Sequence, residues 1–374
     1  MKIGKRNKVS TDILSFNIGL IGQSGCGKTS TIFKMLEKLC PDGYLFAECM
    51  REDGEEALEN IMAVKIIDWN SEYDEEHNTV GFMTLVNEIV DNKSSDDWKN
   101  LRTIVWDTID ELSILAQEEV IRLHNKEHPD KKVKSIRAAF GGFQAGNDMA
   151  NQLILDAFWE LKKVGVSFII IGHTAQRTQT DPATEETYSQ LTTNMPFRDF
   201  NVFKNKLHFL GVAYIDHKIV KEKSKKDPKK TVGRATDDER KIVFRSDNFS
   251  IDSKSRFADI VPEIPLDADA LIEALQDAIN KEIEKSGSSI SDRKKEDDEK
   301  ATKREAEIAQ AEKERATQKE LKQVLTQIKD YFTENKKDLD KIKPIASVAK
   351  ELGYESPIAI TNLEDAKKIL ELCV

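Results

Sequence analysis

Long hydrophobic runs are missing from this chain. No apolar stretch approaches the roughly 20 residues that span a bilayer. The basic opening, MKIGKRNKVSTD, is not followed by the isolated apolar core of a signal peptide, so a cytoplasmic protein without membrane contact is expected. Cysteine is scarce: Cys26, Cys40, Cys49 and Cys373 show no C-x-x-C spacing, which argues against a zinc site or a disulfide framework. A basic excess is lacking too. The net charge is −10, so the surface as a whole does not favour nucleic acid or membrane, and any nucleic-acid site must be a local patch.

What is present is organised around Phe16 to Leu39, FNIGLIGQSGCGKTSTIFKMLEKL. Within it, Gly22-Gln23-Ser24-Gly25-Cys26-Gly27-Lys28-Thr29 fits G-x-x-x-x-G-K-[ST], the P-loop pattern. Ile18, Leu20 and Ile21 precede it as a buried strand would. Ile32, Phe33, Met35, Leu36 and Leu39 follow at helical spacing. A Gly-rich loop between a strand and a helix N-terminus presents unpaired N–H groups to phosphate. Glycine lets the backbone approach closely. Lys28 is placed to reach the β- and γ-phosphates, and the Thr29 hydroxyl to ligate Mg²⁺. The candidate nucleotide-binding stretch is Gly22 to Ser30, with ATP and Mg²⁺ the expected ligands.

Further along, strand and helix patterns alternate. Tyr44–Cys49, Ala63–Trp69, Leu101–Ile109, Val166–Gly172 and Leu207–Ile215 read as strands, and Lys241–Arg245 as the last one. Helical spacing marks Phe82–Val90, Leu112–His124 and Asn147–Val164. Thr174 to Pro196 reads as a long polar segment and Lys218 to Lys230 as a lysine-rich loop. This alternation predicts the α/β class, a mostly parallel sheet with helices on both faces. The 374 residues suggest about two domains. Composition places an ATPase-type domain at 1–280. A charged stretch at 281–320, nearly without apolar anchors, follows as a flexible linker and then a solvated helix. A small helical module fills 321–374.

Three further groups carry possible chemistry. Asp107, at the end of Thr103-Ile104-Val105-Trp106, fits the second carboxylate of a P-loop metal site. Glu48 and Glu52, at and beyond the end of the second strand, are alternative bases for the attacking water, and the sequence does not choose between them. His173 ends the strand VSFIIIG at the ligand-facing edge, where it is placed to sense a γ-phosphate and pass the signal to the polar segment behind it. Lys126–Arg137 and Lys218–Lys230 are the local basic patches; Lys223, Lys225, Lys226 and Lys229 are the candidate DNA contacts.

Four features together resemble the RecA-like ATP-binding proteins encoded by bacteriophages: GQSGCGKTS, the strand IVWDTIDEL, the pattern ELKKVGVSFIIIGHTAQ, and a downstream pair of strands with basic residues. The likeness covers about residues 16–265. It implies an ATPase that binds single-stranded DNA, promotes annealing or strand exchange, works as a homo-oligomer with a single-strand-binding protein, and resides in the host cytoplasm. It also implies Lys28, Thr29 and Asp107 as nucleotide and metal residues, and Lys254 or Arg256 as a cation given to a neighbouring subunit's γ-phosphate. One departure stands out: FAECMRED replaces the compact Asp-x-Glu that usually ends the second strand. Two other functions fit the same motifs: an ATP-driven remodeller or loader of a protein partner, and a nucleotide-gated scaffold with negligible turnover.

Overall fold

The computed structural model describes residues 4, 6–52, 54–181, 184–223, 231–246, 250–336 and 338–373. Strand β1 (Ile18–Gly22) is buried along its whole length and leads through the P-loop into α1 (Lys28–Leu39). Then come β2 (Tyr44–Cys49), β3 (Ala63–Asp68), β4 (Thr79–Gly81), α2 (Phe82–Asp91), β5 (Thr103–Asp107) and the helices α3 (Ile109–Glu127) and α4 (Ala145–Lys163). The chain continues as β6 (Ser167–Thr180), β7 (Thr187–Thr193), α5 (Phe197–Lys204), β8 (Phe209–Lys223), β9 (Thr231–Val243), β10 (Lys254–Ser255) and β11 (Glu263–Pro265). Four helices close it: α6 (Ala268–Lys285), α7 (Ile290–Glu334), α8 (Leu339–Glu351) and α9 (Leu363–Glu371). None of the helices among the described residues is long and apolar enough to cross a membrane.

The strands form one sheet in the order β11-β9-β8-β1-β6-β5-β2-β3-β4, with β10 paired to β8 and β7 to β6. From β8 to β4 every neighbouring pair is parallel, and β9, β10, β11 and β7 run antiparallel to their partners. This is the mostly parallel α/β sheet that the alternation predicts. Successive residues of β5 show why both faces are covered. Val105 joins an apolar cluster with Met35 and Leu36 of α1 and Leu271, Leu275 and Ile279 of α6. Trp106 faces the other way, 5.0 Å from the Phe82 ring and 5.4 Å from the Phe158 ring of α4. A strand buried on both faces loses its polar alternation, hence the run TIVW.

The register brings the ends of β1, β5 and β2 together beside His173 in the middle of β6. Gly22 lies opposite His173 on one side and Ala213 on the other; Asp107 lies opposite Ile171 and Glu48. The loops after β1, β5 and β2 therefore open at one edge of the sheet, where β6 runs past them.

Three stretches differ from the sequence expectation. Thr174 to Pro196 is not an irregular segment: β6 continues to Thr180 and folds back as β7, with Thr174 opposite Thr193 and Thr180 opposite Thr187. Most of this arm is solvated, so it carries the threonine content of a strand without the apolar run that marks one. The supposed loop at Lys218 is strand as far as Lys223, which pairs with Thr231 of β9. Lys225, Lys226 and Lys229 lie outside the described residues.

The third difference concerns the end of the core. The composition changes at 281, but α6 runs on to Lys285 and buries Ile283 in the core cluster. Residues 1–90 and 96–302 form one compact unit. Within it, Asp297 accepts hydrogen bonds from the Thr11 amide (2.8 Å) and from the Thr11 and Ser10 hydroxyls, and Lys8 pairs with Glu296 at 2.6 Å. Polar anchors of this kind leave no mark in a hydropathy pattern. Residues 91–95 and 303–374 form the second unit, whose own core joins Val324 and Ile328 of α7, Ile345 and Ala349 of α8, and Ile360, Ala366 and Ile369.

Candidate nucleotide-binding and catalytic site

The P-loop turns where only glycine fits. A Cβ on Gly22 would lie 2.6 Å from the Ala213 carbonyl oxygen on the adjoining strand. Gly27 caps α1 at φ 108°, in the left-handed region that favours glycine, and offers no side chain to the first N–H groups of the helix. Those donors stay available to an anion. Gln23, Ser24 and Gly25 form the exposed crown of the loop, Cys26 is buried beneath it, and Thr29 and Ser30 are half-buried.

Lys28 is buried, and its ammonium donates to the carbonyls of Gly22 (3.1 Å) and Gln23 (2.9 Å). Two neutral acceptors hold the charge in place without neutralising it, so phosphate oxygens can replace them. Beside it, the Thr29 hydroxyl donates to Asp107 Oδ2 at 2.7 Å. Burial pushes the Asp107 carboxyl up to about 6, partly offset by that hydrogen bond. Glu48, fully buried, stands in register with Asp107. A side chain on Gly54 would begin 3.6 Å from Thr29 Oγ1 and 3.7 Å from Glu48 Oε1, so these oxygens bound one small space.

This donor set fits Mg²⁺. The ligands are hard oxygens, and Mg²⁺ is usually held by one or two protein oxygens together with water and substrate phosphate. Among the described residues no group of three His, Cys, Asp or Glu forms a self-sufficient metal cage. Thr29 and Asp107 are the residues that would hold the ion.

Glu52 and His173 meet at this edge. His173 Nε2 lies 3.1 Å from Glu52 Oε1, and their side chains are 27% and 28% exposed. The mutual hydrogen bond raises the histidine pKa and lowers that of the glutamate, with burial opposing both shifts. Thr108 donates a long bond to Glu52 at 3.5 Å. Asp110, in the first turn of α3, accepts the His173 N–H through Oδ2 at 2.9 Å. Its second oxygen, His173 Nδ1 and the Thr174 hydroxyl are buried without partners. Three such atoms on neighbouring groups mark a place suited to a polar guest.

The other sequence candidates lie elsewhere. The Arg256 guanidinium donates to the carbonyls of Leu207 (3.2 Å) and Asn205 (2.6 Å), and the Lys254 ammonium to that of Lys204 (2.7 Å). These carbonyls precede β8, at the sheet edge opposite the one where Ala213 meets Gly22. The structure thus does not bring Arg256 to the P-loop of its own chain. Lys223 ends β8. Sequence reasoning missed Arg240 of β9, whose Nη1 donates to the Cys26 carbonyl of the P-loop at 3.2 Å. No motif surrounds it, and only the pairing of β9 with β8 carries it there.

A P-loop strand flanked by parallel neighbours, with Lys28, Thr29 and Asp107 converging at its end, defines a P-loop NTPase. Residues 15–257, well over half of the chain, match the AAA domain family, and the chain belongs to that family of P-loop ATPases. No curated protein matches it.

Proposed function

We propose that this protein hydrolyses ATP and acts on single-stranded DNA in recombination or replication, as a RecA-like ATPase of the kind bacteriophages encode. The observation that carries the reading is the convergence of Lys28, Thr29 and Asp107 with the Glu52–His173 pair at the root of the β6–β7 arm. In the reaction, Lys28 exchanges its carbonyl partners for β- and γ-phosphate oxygens. Thr29 and Asp107 would hold Mg²⁺, which would supply charge neutralisation to the bound phosphates. Glu52, reachable by solvent where Glu48 is sealed, orients a water and takes its proton as the oxygen attacks the γ-phosphorus. The bond to the β–γ bridging oxygen breaks, and ADP and phosphate leave. His173 holds Glu52 in place. Because the next residue, Thr174, enters the β6–β7 arm, loss of the γ-phosphate is felt at the arm's root.

DNA contact is supported by Phe143. It is 95% exposed, held at φ 58° beside Gly141 and Gly142, and follows the basic stretch Lys126–Arg137. An exposed ring offers a stacking surface, and nearby cations attract the backbone. Homo-oligomerisation and a single-strand-binding partner belong to the same reading. The deciding experiment is an ATPase assay with and without single-stranded DNA. Stimulation that Phe143→Ala reduces while basal turnover persists is the expected result. Turnover indifferent to DNA defeats the DNA reading. The alternative is a remodeller or loader engaging a protein through the second unit, which has its own core and exposes Ile358 and Leu372. It predicts stimulation by that partner instead.

A further inference from the structure

The catalytic groups stand on one side of the P-loop strand. Asp107, Glu52 and His173 belong to β5, the segment after β2, and β6, so the γ-phosphate end of a bound nucleotide lies toward them. The nucleoside must then leave the loop on the other side, toward β8, β9 and β11. Two side chains stand there. A Cβ on Gly27 would lie 3.5 Å from Arg240 Nη1 and 3.7 Å from Leu266 Cδ2. Leu266 is fixed beside Arg240 because its N–H donates to the Arg240 carbonyl at 2.8 Å. Arg240 bonds to the Cys26 carbonyl, so it approaches the loop from its acceptor side and not through the N–H groups that face phosphate. Among the described residues no carboxylate pairs with its guanidinium, which remains exposed and cationic.

We propose that Arg240 and Leu266 form the nucleoside wall of the site, with the Arg240 guanidinium plane stacking on the base. The inference rests on the ATPase reading above and adds the element that recognises the nucleoside. A planar cation and a branched apolar side chain offer a surface to an aromatic ring but few directed hydrogen bonds to its edge. The wall therefore favours any purine nucleotide over bare polyphosphate and discriminates weakly between adenine and guanine.

Calorimetric titration with Mg²⁺-ATP, Mg²⁺-GTP and Mg²⁺-tripolyphosphate tests this on the full chain. Wild type is expected to bind ATP and GTP within a few-fold of each other and tripolyphosphate more weakly. Arg240→Ala and Leu266→Ala should each weaken both nucleotides by roughly tenfold, in line with a stacked cation, and leave tripolyphosphate unchanged. Arg240→Lys, which keeps the charge and loses the plane, should resemble Arg240→Ala. Equal weakening of tripolyphosphate by Arg240→Ala, full rescue by Arg240→Lys, or ATP binding no tighter than tripolyphosphate in wild type overturns the wall and leaves the P-loop reading standing. A wild-type protein that binds none of the three overturns both. Thermal melts of the variants without ligand separate loss of binding from loss of fold.

Discussion

At the scale of single residues, the site holds charges in places that disfavour them. Asp107 is buried with its pKa pushed up to about 6, so folding favours its protonated form. The sign follows. Stability contributed by that proton is full below the unfolded value of 3.8 and is lost as pH rises through about 6. Asp107→Asn should therefore stabilise the ligand-free protein at pH 8 by about 1–3 kcal/mol and abolish Mg²⁺-dependent turnover. Melting curves at pH 8 and pH 4 check it: a gain at pH 8 that does not shrink at pH 4 refutes the account. The Glu52–His173 pair behaves in the opposite sense at each end. Glu52 contributes stability above its ordinary 4.5 and loses it as pH falls through its lowered value. His173 contributes below 6.5 and loses it as pH rises through its raised value. Both partners are partly exposed, so the stability term is small; the informative readouts are titration and rate. Glu52→Gln should lower kcat at least about a hundredfold and return the His173 imidazole, followed by NMR, toward 6.5. Lys28→Ala should reduce turnover by a further order or more with the fold intact; near-normal turnover in that variant removes the P-loop from the chemistry.

Elements matter here through their lengths. Both β6 and β8 outrun the strand between them, since pairing with β1 stops at His173 and Ala213. Each extension is stabilised by a single antiparallel partner, β7 or β9. The lysine-rich connection between β8 and β9 lies outside the described residues, but its charge is read from sequence. If it neutralises phosphates, changing Lys223, Lys225, Lys226 and Lys229 to Ser should weaken single-stranded DNA binding. It should also flatten the log–log salt dependence by about 0.7 per lost phosphate contact. Basal ATPase should remain. An unchanged slope assigns DNA contact, if any, to another surface such as the loop that presents Phe143.

For the whole molecule, the division of the chain follows contacts rather than composition. A truncation after residue 280 cuts α6, removes buried Ile283 and frees the N-terminal segment from Asp297. Loss of one such buried side chain costs about 2–5 kcal/mol, so this protein should melt lower and lose activity. A truncation after Thr302 keeps the first unit whole and should retain basal ATPase and melting temperature. Loss of activity in the longer truncation means that the second unit contributes to catalysis.

The sequence by itself determined the site's centre and the class of fold. Lys28, Thr29 and Asp107 were legible because their chemistry depends on short spacings within a strand, a turn and a helix start, and the buried parallel strands were legible because burial on both faces makes them continuous apolar runs. Only the tertiary structure decided the rest, because those relations span long separations in the chain. It chose Glu52 as the partner of His173 across 121 residues, gave Asp110 its bond to His173, set Arg240 against the P-loop 214 residues away, and assigned Arg256 to the opposite edge of the sheet. It also turned the polar stretch after His173 into a paired arm and tied residues 296 and 297 to the N-terminal segment. Hydrogen bonds and ion pairs hold these together, and unlike apolar periodicity they leave no pattern along the chain from which a partner can be read.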